Sequence, residues 1–137
     1  MTITNHLTAS NNDRPTLSAC MIVKNEEKFL FQCLESIKNA VDEIIIVDTG
    51  STDTTKEIAS QYTSKVYDFP WINDFAAARN FAFDQCTGDF ILWVDSDDEI
   101  SKKDQEKIKN LDYTDKEIII CKYNYSHDEF GVVECVL

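Results

Sequence analysis

Two hydrophobic rhythms alternate along this chain. Nearly unbroken apolar runs occur at Leu17–Val23 (Leu-Ser-Ala-Cys-Met-Ile-Val), at residues 44–47 (Ile-Ile-Ile-Val) and at residues 90–94 (Phe-Ile-Leu-Trp-Val). Runs of this kind, too continuous for a half-exposed strand, belong to central strands of a parallel sheet. Between them, Phe29, Leu30, Cys33, Leu34 and Ile37 fall at helical spacing, and Ile58, Ala59 and Tyr62 place a second helix. Asn25 is expected to cap the first helix, with Glu26 and Glu27 suiting its positive end. Residues 48–53 form a turn ending in a helix cap, and a short strand follows at 65–68. Phe69-Pro70-Trp71 breaks the pattern, and Asn73 is expected to cap a third helix running to Cys86. Residues 101–110 predict a polar surface helix, and residues 117–125 and 130–137 a hairpin around Asp128-Glu129.

That order predicts an α/β three-layer sandwich with a mainly parallel sheet. Residues 1–16, polar and rich in Thr and Asn at the start, are expected to be a disordered tail. Residues 17–137 then form the domain, and their apolar ending suggests a domain incomplete at its carboxyl terminus.

Composition narrows the function classes. With 137 residues, 43% apolar and 28% charged, the chain suits one globular domain. It lacks the roughly 18 consecutive apolar residues of a transmembrane helix. A net charge of −12 argues against a nucleic-acid or anionic-membrane surface. The five cysteines, Cys20, Cys33, Cys86, Cys121 and Cys135, show no metal-type spacing and mostly sit in apolar runs. They fit reduced core residues of a cytoplasmic protein. His6 and His127 are too isolated to suggest zinc. With three glycines, the chain has no Gly-x-Gly-x-x-Gly fingerprint and so none of the signature of a dinucleotide-binding dehydrogenase.

Chemistry concentrates at strand ends. The run Ile91-Leu92-Trp93-Val94 opens into Asp95-Ser96-Asp97-Asp98, a rigid strand followed by an Asp-x-Asp pair where open α/β sheets bind ligands. Such hard oxygen ligands suit Mg²⁺ or Mn²⁺, with substrate phosphates completing the shell. An acidic turn without a ligand is the alternative. Asp48, at the end of the 44–47 run, can accept hydrogen bonds from a base edge or a ribose, while Ser51, Thr52 and Asp53 fit a capped turn. In Asn73-Asp74-Phe75-Ala76-Ala77-Ala78-Arg79-Asn80, the alanines allow close approach to the sheet. Arg79 can meet a base, a phosphate or the acidic cluster, or form an ion pair with Asp48 or Asp95.

These pieces carry a resemblance. Met21-Ile22-Val23-Lys24-Asn25-Glu26, then Ile45-Ile46-Val47-Asp48-Thr49-Gly50-Ser51-Thr52-Asp53, then Ala78-Arg79-Asn80, then Gly88-Asp89 through Asp98 occur in that order. The sequence resembles the family 2 glycosyltransferases, inverting enzymes with the GT-A (Rossmann-like) fold, over about residues 17–100. With Trp71 and Asn73-Asp74-Phe75 it is similar to a bacterial branch that often carries tetratricopeptide repeats downstream. That branch is also similar to enzymes that glycosylate bacteriocin peptides.

The resemblance implies that Val23, Asn25 and Glu26 line a nucleotide pocket. It also implies that Asp48 binds the base or ribose of a nucleotide diphosphate sugar, with Arg79 beside it and Ser96 against ribose or phosphate. Asp95 and Asp97 would bind the metal, Mn²⁺ or Mg²⁺, with Asp97 the more direct ligand. Many relatives place a stacking aromatic where Lys24 stands, so stacking here would need Trp71 or another ring. The implied partners are a nucleotide-diphosphate sugar, UDP-linked as the first choice, and an unspecified glycan, lipid or peptide acceptor. The family's catalytic base is an Asp or Glu near the acceptor. Asp112, Asp115, Asp128, Glu129 and Glu134 match no such motif, so the base is expected beyond Leu137. A non-catalytic nucleotide-sugar binding module and a nucleotidyltransferase are the alternative classes, although the latter would want a Gly-rich basic loop where Lys24-Asn25-Glu26-Glu27 stands.

Overall fold

The computed structural model describes residues 1–5, 15–114 and 118–120. In chain order the elements are β1 (Thr2–Asn5), β2 (Leu17–Val23), α1 (Leu30–Ile37), β3 (Glu43–Asp48), α2 (Thr55–Ser60), β4 (Val66–Asp68), α3 (Phe75–Gln85), β5 (Phe90–Trp93), α4 (Lys102–Lys109) and β6 (Ile118–Ile120). They form one six-stranded sheet of order β4-β3-β2-β5-β1-β6. The pairs β2–β3, β2–β5 and β3–β4 are parallel, whereas β1 runs antiparallel to both β5 and β6.

Alternation along the strands sends side chains to two cores. Ala19, Met21, Val23, Ile44, Ile46, Leu92 and Val94 join Leu30, Cys33, Leu34, Ile37, Ala59 and Ile108 on the face covered by α1, α2 and α4. Cys20, Ile45, Val47 and Ile91 face the other way, against Ala82 and Cys86 of the α3 layer. The small Ala78 and Ala82, both fully buried, let α3 lie close on β2 and β3. The three layers expected from the apolar pattern are present.

Three details differ from the sequence expectations. Residues 1–16 are not a tail throughout, because Thr2–Asn5 pairs with β5 in register Thr2↔Trp93 to Asn5↔Phe90. Ile3, flanked by threonines, is fully buried and anchors that strand. Asn25 does not cap α1, which starts at Leu30 after a Phe29 N-cap position with no side-chain hydrogen bond. Asn25 instead has φ of +52°. Asp74, not Asn73, caps α3, its Oδ1 accepting from Ala77 N–H at 3.0 Å. Asn73 is the turn residue before it, at φ +57°. Ile118–Ile120, within the expected 117–125 strand, pairs with β1, and most of the expected hairpin lies outside the described residues.

Candidate functional site

The strand order creates the site. From β2 the chain steps outward to β3 and β4, then returns through α3 to β5 on the other side of β2. Adjacent parallel strands whose connections leave in opposite directions open a crevice beyond their carboxyl ends. The segments following Val23, Asp48 and Trp93 therefore converge there.

Two of these strand-end loops are laced together. Asn25 N–H donates to Ser51 Oγ at 2.9 Å and Glu26 N–H to Thr55 Oγ1 at 2.8 Å. In return, Asn25 Oδ1 accepts from Thr52 N–H at 2.8 Å, and Glu27 Oε2 accepts from the Thr54 hydroxyl at 2.9 Å. Asp53 Oδ1 accepts from Thr55 N–H at 2.9 Å, and its Oδ2 from Glu27 N–H at 3.4 Å. Ser51, Thr52 and Asp53, expected to serve only their own turn, thus fix the 25–27 loop as well. Val23 is buried, and its carbonyl accepts from Thr49 N–H at 3.0 Å.

Asp48 is the unusual group. It is 2% exposed. Its Oδ1 accepts from Gly50 N–H at 2.8 Å and Ser51 N–H at 2.7 Å, a tight turn that needs the φ of +117° at Gly50. Its Oδ2 is buried with no hydrogen-bond partner. Buried polar atoms are nearly always paired, so this oxygen marks a place where a donor is missing.

The acidic turn after β5 divides its carboxylates. Asp98 turns inward, 8% exposed, and its Oδ2 accepts from Asp95 N–H at 2.9 Å. Burial, joined by the charges of Asp95 and Asp97, pushes its carboxyl from 3.8 up to about 6 against the opposing Asp95 N–H bond. Asp95 and Asp97 are exposed, and neither side chain accepts a hydrogen bond from a described residue. Ser96 is buried between them. A cavity of about 230 Å³ beside this turn is lined by Phe29, Gln32, Cys33, Asp97, Asp98 and Glu99. The Cys33 thiol, pushed up to about 12 by burial and then by the neighbouring aspartates, is held protonated there.

Arg79 forms no ion pair with a described carboxylate, so the expected alternative of a pair with Asp48 or Asp95 is not seen. Its guanidinium lies 4.8 Å from the ring centroids of both Phe75 and Trp93. Trp93 is the last residue of β5, and its ring meets Phe75 and Phe83 edge-on. Phe75 and Trp93 were not singled out from the sequence. The i, i+4 spacing of Phe75 and Arg79 was the available signal.

Among the described residues no group of three or more His, Cys, Asp or Glu side chains is placed to hold a metal. The pair Asp95 and Asp97 fits a hard divalent ion only if other oxygens complete its shell. That is the usual state of Mg²⁺-type sites, which keep waters and take substrate phosphates.

A family model, Glycosyl transferase family 2, matches residues 18–133. The chain belongs to the family 2 glycosyltransferases. It is 48% identical over 84 residues to a TPR repeat-containing protein of Synechococcus elongatus, covering 61% of this chain and 21% of that protein. It is 42% identical over 95 residues to an uncharacterized glycosyltransferase of Rickettsia felis, covering 69% of this chain and 33% of that one. Among solved structures, S. aureus TarS 1-349 in complex with UDP aligns with a TM-score of 0.56 and 28% identity, covering 67% of this chain and 30% of that one. Mycobacterium tuberculosis glucosyl-3-phosphoglycerate synthase, in complex with Mn²⁺ and UDP-glucose, aligns with a TM-score of 0.51 and 29% identity. That match covers 61% of this chain and 33% of the synthase. The glycosyltransferase chain described here thus spans about a fifth to a third of the curated relatives' lengths. Its fold is the GT-A sandwich of these neighbours, and no helix among its described residues is long and apolar enough to cross a membrane.

Proposed function

We propose that residues 17–137 are the donor-binding part of an inverting glycosyltransferase, taking a UDP-linked sugar with Mn²⁺ or Mg²⁺ and serving, in the longer protein, a glycan, lipid or peptide acceptor. The observation that carries this reading is the buried, unpartnered Oδ2 of Asp48 at the same sheet edge as the two unengaged carboxylates Asp95 and Asp97. In it Asp48 accepts from the base or ribose, and Asp95 and Asp97 hold the cation. Arg79 lies alongside the base, and Ser96 faces ribose or phosphate. Val23, Asn25 and Glu26 line the pocket through the laced loop. The UDP complex of TarS and the Mn²⁺–UDP-glucose complex of the mycobacterial synthase support this choice of donor and metal. A cytoplasmic setting fits the three described cysteines, Cys20, Cys33 and Cys86, which are buried and free of disulfides.

The chemistry needed is stabilisation of charge on the leaving diphosphate, and a bound divalent ion supplies it as a Lewis acid and template. The protein's part is to fix Asp95 and Asp97 on the end of a rigid strand and to orient the donor against Asp48. A general base must deprotonate the acceptor within hydrogen-bond reach. Asp112, the one described carboxylate among those considered, has its Oδ1 engaged by Thr114 N–H at 2.9 Å. Asp115, Asp128, Glu129 and Glu134 lie outside the described residues. In this reading the base belongs to the acceptor-binding part of the longer protein.

Calorimetry of UDP with Mn²⁺, and again in excess EDTA, tests the donor reading. Binding that disappears with EDTA is expected, equal binding removes the metal role, and no binding of any nucleoside diphosphate overturns the reading. Mass spectrometry of peptide and sugar acceptors incubated with UDP-glucose and Mn²⁺ tests the division of labour. No transfer by these 137 residues alone is expected, because holding two reactants together is worth about 7–11 kcal/mol of barrier. Robust transfer would place the base within this chain.

A further inference from the structure

We propose that Trp71 is the stacking surface for the donor's base, an inference that rests on the donor reading above and assigns its base-side residue. The path of the chain locates it. β4 is the outer strand of the sheet, whereas α3 packs on β2 and β3. The connection 69–74 therefore runs inward across the carboxyl end of β3, where Asp48 sits. It is tied there at its start, since Phe69 N–H donates to the Asp48 carbonyl at 2.8 Å. Trp71 follows two residues later, within about 7 Å of extended chain.

The ring is held but not packed away. Trp71 is 43% exposed, and its Nε1–H donates to Asn73 Oδ1 at 2.9 Å, with Asn73 in the left-handed turn conformation at φ +57°. Its neighbours in sequence have other duties. Phe69 packs on Phe81, with ring centroids 5.2 Å apart, and Phe75 is engaged by Arg79. The loop after β2, Lys24-Asn25-Glu26, carries no ring. Phe29 lines the cavity beside Asp97 rather than the β3 end. Among the described residues, Trp71 thus offers a planar base at Asp48 a half-exposed ring held by its polar tip, two residues along the chain from the Phe69 bond to the Asp48 carbonyl. Exposed indoles anchored by a polar tip suit that use, because every base has a π-face to offer.

The test is titration of the whole chain with UDP and with inorganic pyrophosphate in Mn²⁺, for the wild type, Trp71→Ala and Trp71→Phe. Trp71→Ala should weaken UDP binding about tenfold or more, the scale of one lost base–aromatic stack, and leave pyrophosphate binding unchanged. Trp71→Phe should keep UDP affinity within about threefold, the smaller ring retaining most of the stack. UDP binding by Trp71→Ala equal to that of the wild type overturns this inference alone, as does an equal loss for UDP and pyrophosphate. Failure of the wild type to bind either probe overturns the donor reading and this inference with it.

Discussion

The two edges of the sheet treat their carboxylates in opposite ways. At the amino edge Glu43, Asp89 and Asp42 are all answered within the fold, with Asp89 buried, Glu43 half-buried and Asp42 exposed. Glu43, at the start of β3, accepts from Ser18 and Lys65 and from the Thr87 N–H and hydroxyl at 2.9 and 3.0 Å. Asp89 accepts from Thr16 N–H at 2.9 Å, and Asp42 from Leu17 N–H at 2.8 Å. At the carboxyl edge Asp48 leaves one oxygen unpaired and Asp95 and Asp97 stand unengaged. The larger cavity, about 560 Å³, lies at the amino edge, lined by Ser18, Glu43, Lys65 and Thr87 among others. Volume alone would point away from the edge that the proposed function uses. Unsatisfied hydrogen-bonding capacity distinguishes them, because buried polar groups are nearly always paired within a fold and Asp48 Oδ2 is not.

Mutations should separate the edges by their effect on stability. The largest loss is expected at Glu43→Ala, which leaves the Ser18 and Thr87 donors without their acceptor and should cost about 2–3 kcal/mol in denaturant unfolding, the half-exposed Lys65 contributing little of it. Burial raises the Glu43 carboxyl, but the bonds from Lys65, Ser18 and Thr87 outweigh it and hold the group below its ordinary 4.5. Its contribution is therefore complete above that pH and is lost as pH falls through the lower folded value. Glu43→Gln should flatten this acid limb. A wild-type acid limb identical to that of Glu43→Gln would remove Glu43 from the comparison.

Gly88→Ala comes next. A Cβ there would meet Ser18 Oγ at 2.6 Å, Ser18 N at 2.8 Å and the Leu17 carbonyl carbon at 3.2 Å. Two of these are backbone atoms, so the strand must shift, and a loss of about 2 kcal/mol is expected in thermal melts. The same melt should leave UDP affinity intact if the amino edge is purely structural.

Asp98→Asn should act with the opposite sign. A carboxyl raised from 3.8 to about 6 binds its proton more tightly in the native state, so stability rises as pH falls across that window and is lowest at neutral pH. The variant should gain up to about 2 kcal/mol at pH 7 and show no such rise. A destabilised Asp98→Asn would mean that the bond from Asp95 N–H outweighs burial.

The smallest stability changes are expected at the acids that the proposed function assigns to the donor and metal. Asp48→Asn can keep both bonds to Oδ1 while replacing the unpaired oxygen, so its melt should move by less than about 1 kcal/mol while UDP binding weakens severalfold or more. Asp97→Asn should leave the melt unchanged and lower the Mn²⁺ dependence of UDP binding. Unfolding of either variant would make that residue part of the fold rather than of the site.

Much of this was legible in the sequence because the signals are local. Continuous apolar runs fix β2, β3 and β5, and helical spacing fixes α1 and α2, since each pattern follows from side-chain direction along its own element. Strand ends that break into Asp48 and into Asp95-Ser96-Asp97 marked the edge at which the unpaired Asp48 oxygen and the two unengaged acids are found. The identity of the α3 cap was missed by one residue, as Asn73 and Asp74 are both good caps and backbone geometry chose between them.

What only the tertiary structure decided is every relation between distant segments. It recruited Thr2–Asn5 into the sheet beside β5, because the burial of Ile3 depends on a strand roughly ninety positions away. It sent Ser51, Thr52 and Asp53 to the 25–27 loop and set Arg79 against Phe75 and Trp93 rather than against an acid. It also separated Glu43, whose oxygens are all engaged, from Asp48, which keeps one oxygen open, although both lie in the same strand. Residue type and spacing name a carboxylate. Whether it is paired depends on which donors the folded chain brings within about 3 Å of it.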